Sequence, residues 1–368
     1  MSEGKKLYEI ALTKIPMIGA ITAKTLVSYC GSAKSVFKSS KKQLAKIPGI
    51  GHQLLHNIML PENLKEAERE LNFIEKEGIS THFYLDKSYP TRLKHYPESP
   101  ILLYFKGNIE LEADRLVGVV GTRKPSPYGV NVCEELVNGL LPYQPIVVSG
   151  LAYGIDITAH KKALEIGLPT IAVLGHGLNQ VYPLSHKSIA QQMVTQGGLL
   201  SEFGSDMKIN RENFPMRNRV IAGICDVVIV VESGLKGGSV ITAHMANNYN
   251  KDVFAVPGRL SDKHAQGCNH LIKTHKAALI ESAEDVAYIM RWDKDREAQS
   301  RQIKLFEELS EVEQAIVDLL KEEETIHLDK LALSLNQKTS TVSSLLLEME
   351  FKGLVKTLPG KTYMLAGW

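Results

Sequence analysis

No apolar run in this chain of 368 residues approaches the ~20 residues that a membrane-spanning helix needs. The N-terminus is lysine-rich but lacks an apolar signal core, so an intracellular, cytoplasmic protein is expected. The four cysteines, Cys30, Cys133, Cys225 and Cys268, have no C-x-x-C spacing, which argues against a zinc ribbon or a disulfide framework and suits a reducing compartment. The dinucleotide fingerprint is missing, because Gly118 and Gly121 have the wrong spacing and the second candidate strand ends at Ser149 rather than at an acid. A Walker A motif is missing too, since Gly237-Gly238-Ser239 carries no Gly-Lys-Ser/Thr. Neither NAD binding nor NTP hydrolysis is therefore supported. Asp156 and His160 stand at i, i+4 on a helix, as an acid/base or metal pair would, but no third ligand has diagnostic spacing. An Asp near a helix start is more often a cap or dipole partner. His176, between two glycines, reads as a tight-turn residue or a ligand contact. No metal and no cofactor are expected.

What is present is ordinary globular composition, at a length that suits two or three domains. Residues 1–65 hold ten lysines against three glutamates, and residues 297–368 hold eight Lys/Arg against twelve Asp/Glu. A basic front and an acidic tail point to an anionic polymer bound by the first two parts of the chain.

The centre alternates apolar runs with helical stretches. Leu116–Val120, Ile146–Ser149, Thr170–Leu174, Val227–Val231 and Val253–Val256 read as buried strands of a parallel α/β sheet. Each run exits into a Gly-rich turn: Gly121-Thr122-Arg123, Ser149-Gly150-Leu151, Gly175-His176-Gly177, Gly237-Gly238-Ser239 and Pro257-Gly258-Arg259. In an open α/β sheet such turns line the crevice at the carboxyl ends of the strands, where ligands bind. Glycines there let the backbone approach a ligand, and the following helix N-termini offer N–H groups to anions.

The stretch Asn213–Gly223 carries the sharpest signal. Phe214-Pro215 precedes Arg217, Asn218 and Arg219, and a small apolar run follows. With Pro215 at the first helical position, both arginines fall in the first turn, where they oppose the helix dipole and favour an anion. Cation, amide and aromatic together suit single-stranded nucleic acid. The plainer reading is two arginines satisfying nearby carboxylates and a phenylalanine in the core.

Two flanking modules are expected. In residues 1–65, Ile15-Pro16-Met17-Ile18-Gly19 and Ile47-Pro48-Gly49-Ile50-Gly51 repeat one phrase between helical stretches. The second resembles a helix-hairpin-helix turn, whose glycines (Gly49, Gly51) point backbone N–H groups at a phosphate. The first has Met17 where a glycine belongs, so a packing module without DNA contact is the alternative. Residues 66–116 contribute a charged helix ended by Gly78, strand candidates at Ile79–Leu85 and Ile101–Phe105, and Pro-punctuated turns. At the other end, Glu311–Leu320, Leu328–Leu335 and Ser340–Phe351 read as helices, followed by a hairpin of Leu354–Leu358 and Thr362–Leu365. That is a winged helix. Its third helix offers hydroxyls and little positive charge, which favours protein contacts over tight duplex binding.

These motifs, in order over about 200 residues, resemble the DNA-processing protein A (DprA/Smf) family. The resemblance is carried by Gly121-Thr122-Arg123, Ser149-Gly150-Leu151-Ala152 with Gly154-Ile155-Asp156 and His160, Tyr182-Pro183, Phe214-Pro215 with Arg217-Asn218-Arg219, Gly238-Ser239 with Thr242, and Val256-Pro257-Gly258. Departures are Gly237 for a serine, His186 for an asparagine, and Thr274–Ala277 interrupting a Gly-Ala pair. The resemblance implies an extended Rossmann-like parallel sheet (66–290) between an N-terminal helix-hairpin-helix or SAM-like helical domain (1–65) and, after a linker (291–306), a C-terminal winged helix (307–368). It implies a non-enzymatic protein that binds single-stranded DNA, dimerises through the Rossmann domain and delivers DNA to the RecA recombinase in natural transformation or recombination. By motif, Arg123, Arg217 and Arg219 would pair phosphates, and Phe214 would support a base beside Asn218. Gly121, Thr122, Ser149, Gly150, Gly175, Gly238, Ser239 and Thr242 would offer backbone or hydroxyl donors. Arg217→Ala is then expected to weaken single-strand binding and flatten its salt dependence. Two alternatives stay open: a phosphoribohydrolase of the same fold class, whose catalytic Glu is absent after Gly238, and a duplex-binding adaptor.

Overall fold

Nine strands form one sheet in the order β1-β2-β6-β5-β4-β3-β7-β8-β9. The structure, a computed structural model, describes residues 3–292, 310–323, 325–352 and 354–365. The chain divides into two compact units, residues 1–286 and 287–368.

The first unit opens with helices α1 (Glu3–Lys14), α2 (Ala20–Cys30), α3 (Ala33–Lys38), α4 (Lys41–Leu44), α5 (His52–Ile58) and α6 (Glu62–Glu77). The two repeated phrases are the α1–α2 and α4–α5 turns. Gly49 takes a left-handed φ of 81°, and Met17, its counterpart, is held at 64°. The turn geometry therefore persists where the glycine is lost, at a cost of about 1–2 kcal/mol for an L-residue there. Gly78 ends α6 in the same region (φ 64°), as C-terminal glycines do. The helices bury Ile10, Leu12, Leu26, Leu44 and Ile58 in one cluster with Phe83, Leu102 and Tyr104 of β1 (Ser80–Phe83) and β2 (Leu102–Gly107). The helical segment thus shares a core with the sheet edge, and α6 runs through the boundary expected at residue 65.

After the short α7 (Thr91–Lys94), β3 (Leu116–Val120) begins the parallel part. There follow α8 (Pro127–Gly139), β4 (Ile146–Ser149), α9 (Ile155–Glu165), β5 (Thr170–Leu174), α10 (Lys187–Thr195) and β6 (Gly197–Ser201). The chain then crosses back to α11 (Asn213–Ile224), β7 (Val227–Val230), α12 (Gly238–Asn248), β8 (Asp252–Ala255), α13 (Gln266–Lys273), β9 (Ala278–Leu279) and α14 (Ala283–Met290). The strand order reverses at β3, with β4, β5 and β6 on one side and β7, β8 and β9 on the other. This is the doubly wound arrangement whose switch point holds ligands. Strands β3, β4, β5, β6 and β7 are buried along their whole length, which is why they read as continuous apolar runs.

Strand β6 was not among the expected strands. It opens with Gly197-Gly198, where a Cβ would lie 2.0 Å from the Thr170 carbonyl oxygen and 2.3 Å from the Phe105 ring respectively. Crowding from both neighbouring strands demands glycine here, and glycine hides the strand pattern.

The second unit holds α15 (Glu311–Glu322), β10 (Ile326–His327), α16 (Leu328–Ser334), α17 (Thr339–Phe351), β11 (Val355–Leu358) and β12 (Thr362–Leu365). Ile316, Leu320, Leu331, Val342, Leu346 and Met349 form its core, and β12 pairs antiparallel with both β10 and β11. This is the expected three helices and wing. Apart from Arg291 and Trp292, the expected linker 291–306 lies outside the described residues.

Candidate nucleic-acid interface

The loops after β3, β4, β5 and β7 meet at the carboxyl end of the sheet and form a crest. Backbone contacts fix its base. Thr122 N donates to the Glu232 carbonyl (2.7 Å), and Ile155 N donates to the Thr122 carbonyl (3.1 Å). Gly121 is required because a Cβ there would lie 2.4 Å from Ile155. The Glu232 carboxylate accepts from Ser126 N (2.8 Å) and Ser126 Oγ (2.7 Å), so it braces the loop that carries Arg123.

Arg123 is exposed, and its guanidinium lies 5.5 Å from the centre of the half-buried Phe214 ring, within cation–π reach. Phe214 in turn covers Gly175, where a Cβ would sit 3.1 Å from the ring. The Tyr182 ring is 6.2 Å from Phe214, centre to centre. Lys124 and Lys236 are exposed on the loops flanking this group. A cation and an aromatic face thus stand together at the strand ends, while the Thr122 and Ile155 N–H groups are taken up by backbone carbonyls.

The arginines of α11 are arranged differently from the expectation. The helix begins at Asn213, two residues before Pro215, so Arg217 lies in its second turn. Arg217 is only 4% exposed and points inward. Its Nη1 donates to the carbonyls of Gly150 and Val173, both at 2.6 Å, tying the ends of β4 and β5 together. Gly150 makes room for it: a Cβ there would lie 1.9 Å from Nη1. Asp156 is buried alongside and accepts from Gly150 N (3.2 Å) and Ala152 N (3.4 Å). Burial pushes the Asp156 carboxyl up, and the Arg217 charge opposes that shift. Arg217 therefore braces the crest from below, with Nε and Nη1 taken up by Asn218 and the two carbonyls. Arg219 faces the opposite side of α11, where it pairs with Glu202 and donates to the Glu98 carbonyl. Of the three arginines expected to pair phosphates, only Arg123 stands free at the surface.

The other expected donors divide in the same way. Ser149 Oγ donates to the Val119 carbonyl (2.6 Å), Ser239 Oγ to Ser233 Oγ (2.7 Å), and Thr242 Oγ1 to the Gly238 carbonyl (3.2 Å). All three residues are buried, so their hydroxyls hold the loops rather than face a ligand. Gly238 is exposed at the first position of α12, with open space around it. Asn218 is half-buried; its Oδ1 accepts from Arg217 Nε (3.1 Å), and its Nδ2 reaches toward the Gly238 carbonyl at 3.5 Å. Gly49 and Gly51 lie in the α4–α5 turn, and open space surrounds both.

The candidate acid/base pair is also structural. His160 is fully buried, with Nδ1 2.7 Å from Thr170 Oγ1, and burial pushes its pKa down to about 3. His176 is buried, and its ring Nδ1 bonds to the Gly177 carbonyl (2.9 Å). It is a tight-turn residue. Among the described residues, no three His, Cys, Asp or Glu gather into a metal-binding group, and no helix is long and apolar enough to cross a membrane.

Tyr182, marked in the sequence only through its Tyr-Pro pair, and Lys124, a lysine beside an arginine with no pattern of its own, also stand at this crest.

Comparison with known proteins agrees with this architecture. Residues 80–291 match the family model of DNA recombination-mediator protein A, residues 306–361 match a DprA winged helix domain, and residues 9–60 match a SAM-like helix-hairpin-helix tandem. Protein Smf of Synechocystis is 29% identical over 99% of each chain. The X-ray structure of DNA processing protein A from Streptococcus pneumoniae superposes with a TM-score of 0.68 at 34% identity, covering 77% of this chain and 97% of that one. The protein of the same name from Helicobacter pylori, whose structure describes a single-stranded DNA binding mode, gives 0.53 at 30% identity, covering 58% and 96%.

Proposed function

This chain belongs to the DNA recombination-mediator protein A family, the DprA/Smf proteins, and from that premise we propose that it binds single-stranded DNA on the strand-end crest and hands it to the RecA recombinase. The observation that carries the reading is the free guanidinium of Arg123 beside the Phe214 ring. An exposed cation next to an aromatic face offers a phosphate partner and a base platform within one nucleotide's reach. Lys124, Lys236 and the N-terminus of α12 extend the positive rim. The Helicobacter relative's single-stranded DNA binding mode supports the choice of ligand, and the family's description as a recombination mediator supports the hand-over. Binding of this kind breaks no bond, so the protein acts as a carrier rather than an enzyme. Its setting is uptake of transforming DNA or general recombination. Pairing of two copies through the sheet-bearing unit would place two crests on one strand.

The test is equilibrium binding of labelled single-stranded and duplex DNA to the full chain over a range of salt. Arg123→Ala should weaken single-strand binding about tenfold and reduce the log–log salt slope by about 0.7. Unchanged affinity and slope would remove the crest from the account. For the hand-over, this protein should speed the growth of RecA filaments on single strands already covered by a single-strand-binding protein. No acceleration would leave a binder without a loader.

A further inference from the structure

The crest displays more aromatic surface than one base needs: beyond Phe214 and the exposed Tyr128 at the start of α8, exposed tyrosines stand on the loops after β4 and β5. Tyr182, on the loop after β5, is 49% exposed, and Tyr153, on the loop after β4, is 51% exposed. Both are held rather than loose. The Tyr182 ring lies 6.2 Å from Phe214 at an interplanar angle of 44°. Tyr153 packs edge-on against the His186 ring at 5.0 Å, and its hydroxyl is 3.4 Å from Ser185 Oγ. His186 is buried and anchored by Nδ1 to the Leu151 carbonyl at 2.9 Å. Residues 182–186 thus join a Phe214–Tyr182 pair to a Tyr153–His186 pair. The loops after β7 and β8, residues 231–237 and 256–265, contain no Phe, Tyr or Trp.

Large aromatic faces fixed in exposed loops beside free cations suit stacked bases, because every base has a π-face. Resting on the single-stranded DNA reading, we infer that Tyr182 and Tyr153 continue the Phe214 platform into a base-stacking track. The strand then runs from the rim of Arg123, Lys124 and Lys236 past Phe214 and across the β5 and β4 loops, not on toward the β8 loop. The cations of Arg123 and Lys124 hold phosphates at one end, and the two tyrosines add affinity that depends on bases and not on charge.

The experiment uses the full chain with Tyr182→Ala, Tyr153→Ala, the corresponding Tyr→Phe variants, and Arg123→Ala as the reference. Each is titrated against a thymidine oligomer and an abasic strand of equal length, at several salt concentrations. Each Tyr→Ala change should weaken thymidine binding about tenfold and leave the salt slope unchanged. Tyr→Phe should bind like wild type, and abasic binding should not respond to either tyrosine. Arg123→Ala should weaken both ligands and lower the slope. If the tyrosine variants bind thymidine like wild type while Arg123→Ala is impaired, the track is wrong and the crest stands. If none of the variants is impaired, the single-strand site itself is misplaced and the track falls with it. If the tyrosines affect abasic binding equally, they shape the loops and do not stack bases.

Discussion

Arg217 and Arg123 carry the same charge and do different work. Arg217 joins the ends of β4 and β5 through two carbonyls and lies beside buried Asp156. Replacing it with methionine should cost about 3–5 kcal/mol, because a buried carboxylate loses its compensating charge. Denaturant unfolding of the full chain would measure this, and Gly150→Ala should be comparably harmful, since its Cβ would meet Nη1. Arg123→Ala should leave unfolding unchanged and affect DNA binding alone. Sequence inspection gave the two residues one role because a charge in a linear sequence has no direction. A helix start shifted by two residues turned one arginine into the core. Glu313 gives a pH prediction at the same scale. Lys352 (2.8 Å) and the Ser310 amide (2.9 Å) and hydroxyl (2.8 Å) hold its carboxyl down at about 2, against an ordinary 4.5. A lowered carboxyl pKa stabilises the fold above the unfolded value and loses that effect as pH falls through the folded one. Protection of α15 amides in hydrogen exchange on the full chain should therefore decline from about pH 4.5 to about pH 2. In Glu313→Gln the same protection should be lower at neutral pH and flat across that window.

The element that positions Phe214 is tied to the N-terminal helices. Glu70 of α6 accepts from Ser205 N (2.9 Å), Ser205 Oγ (2.8 Å) and Lys14 Nζ (3.2 Å), and Lys14 also pairs with Asp206. Lys14 and Glu70 side chains are both buried, where a broken pair is costly. This latch joins α1, α6 and the segment leading into α11. Glu70→Ala should accelerate hydrogen exchange across residues 203–212 and weaken single-strand binding severalfold without changing the salt slope. Normal protection there would show that α11 is positioned by the sheet alone. The parallel strands were legible because they are buried on both faces and read as apolar runs. The latch was not, because Lys14 and Glu70 lie 56 residues apart and Glu70 and Ser205 lie 135 apart, and they share no motif. Strand β6 was hidden by the glycines that let it fit.

At the scale of the whole molecule, charge does less than its distribution first implied. Residues 66–296 carry 25 Lys and Arg against 26 Asp and Glu, so the sheet-bearing part has no net positive field. The basic surplus lies in residues 1–65. On the proposed reading, the charge contacts at the crest come from local groups, chiefly Arg123, Lys124 and Lys236. Three phosphate contacts correspond to a salt slope of about −2 for a single strand, and a much steeper slope would bring the lysines of residues 1–65 into the interface. The measurement that tests the central claim most directly is photocrosslinking of a halogenated-uracil single strand to the full chain, mapped by peptide mass spectrometry. The account predicts crosslinks to peptides containing Phe214 and Tyr182, lost on competition with single-stranded but not duplex DNA. Crosslinks confined to residues 1–65 or 310–365 would contradict it and move the DNA to the flanking modules.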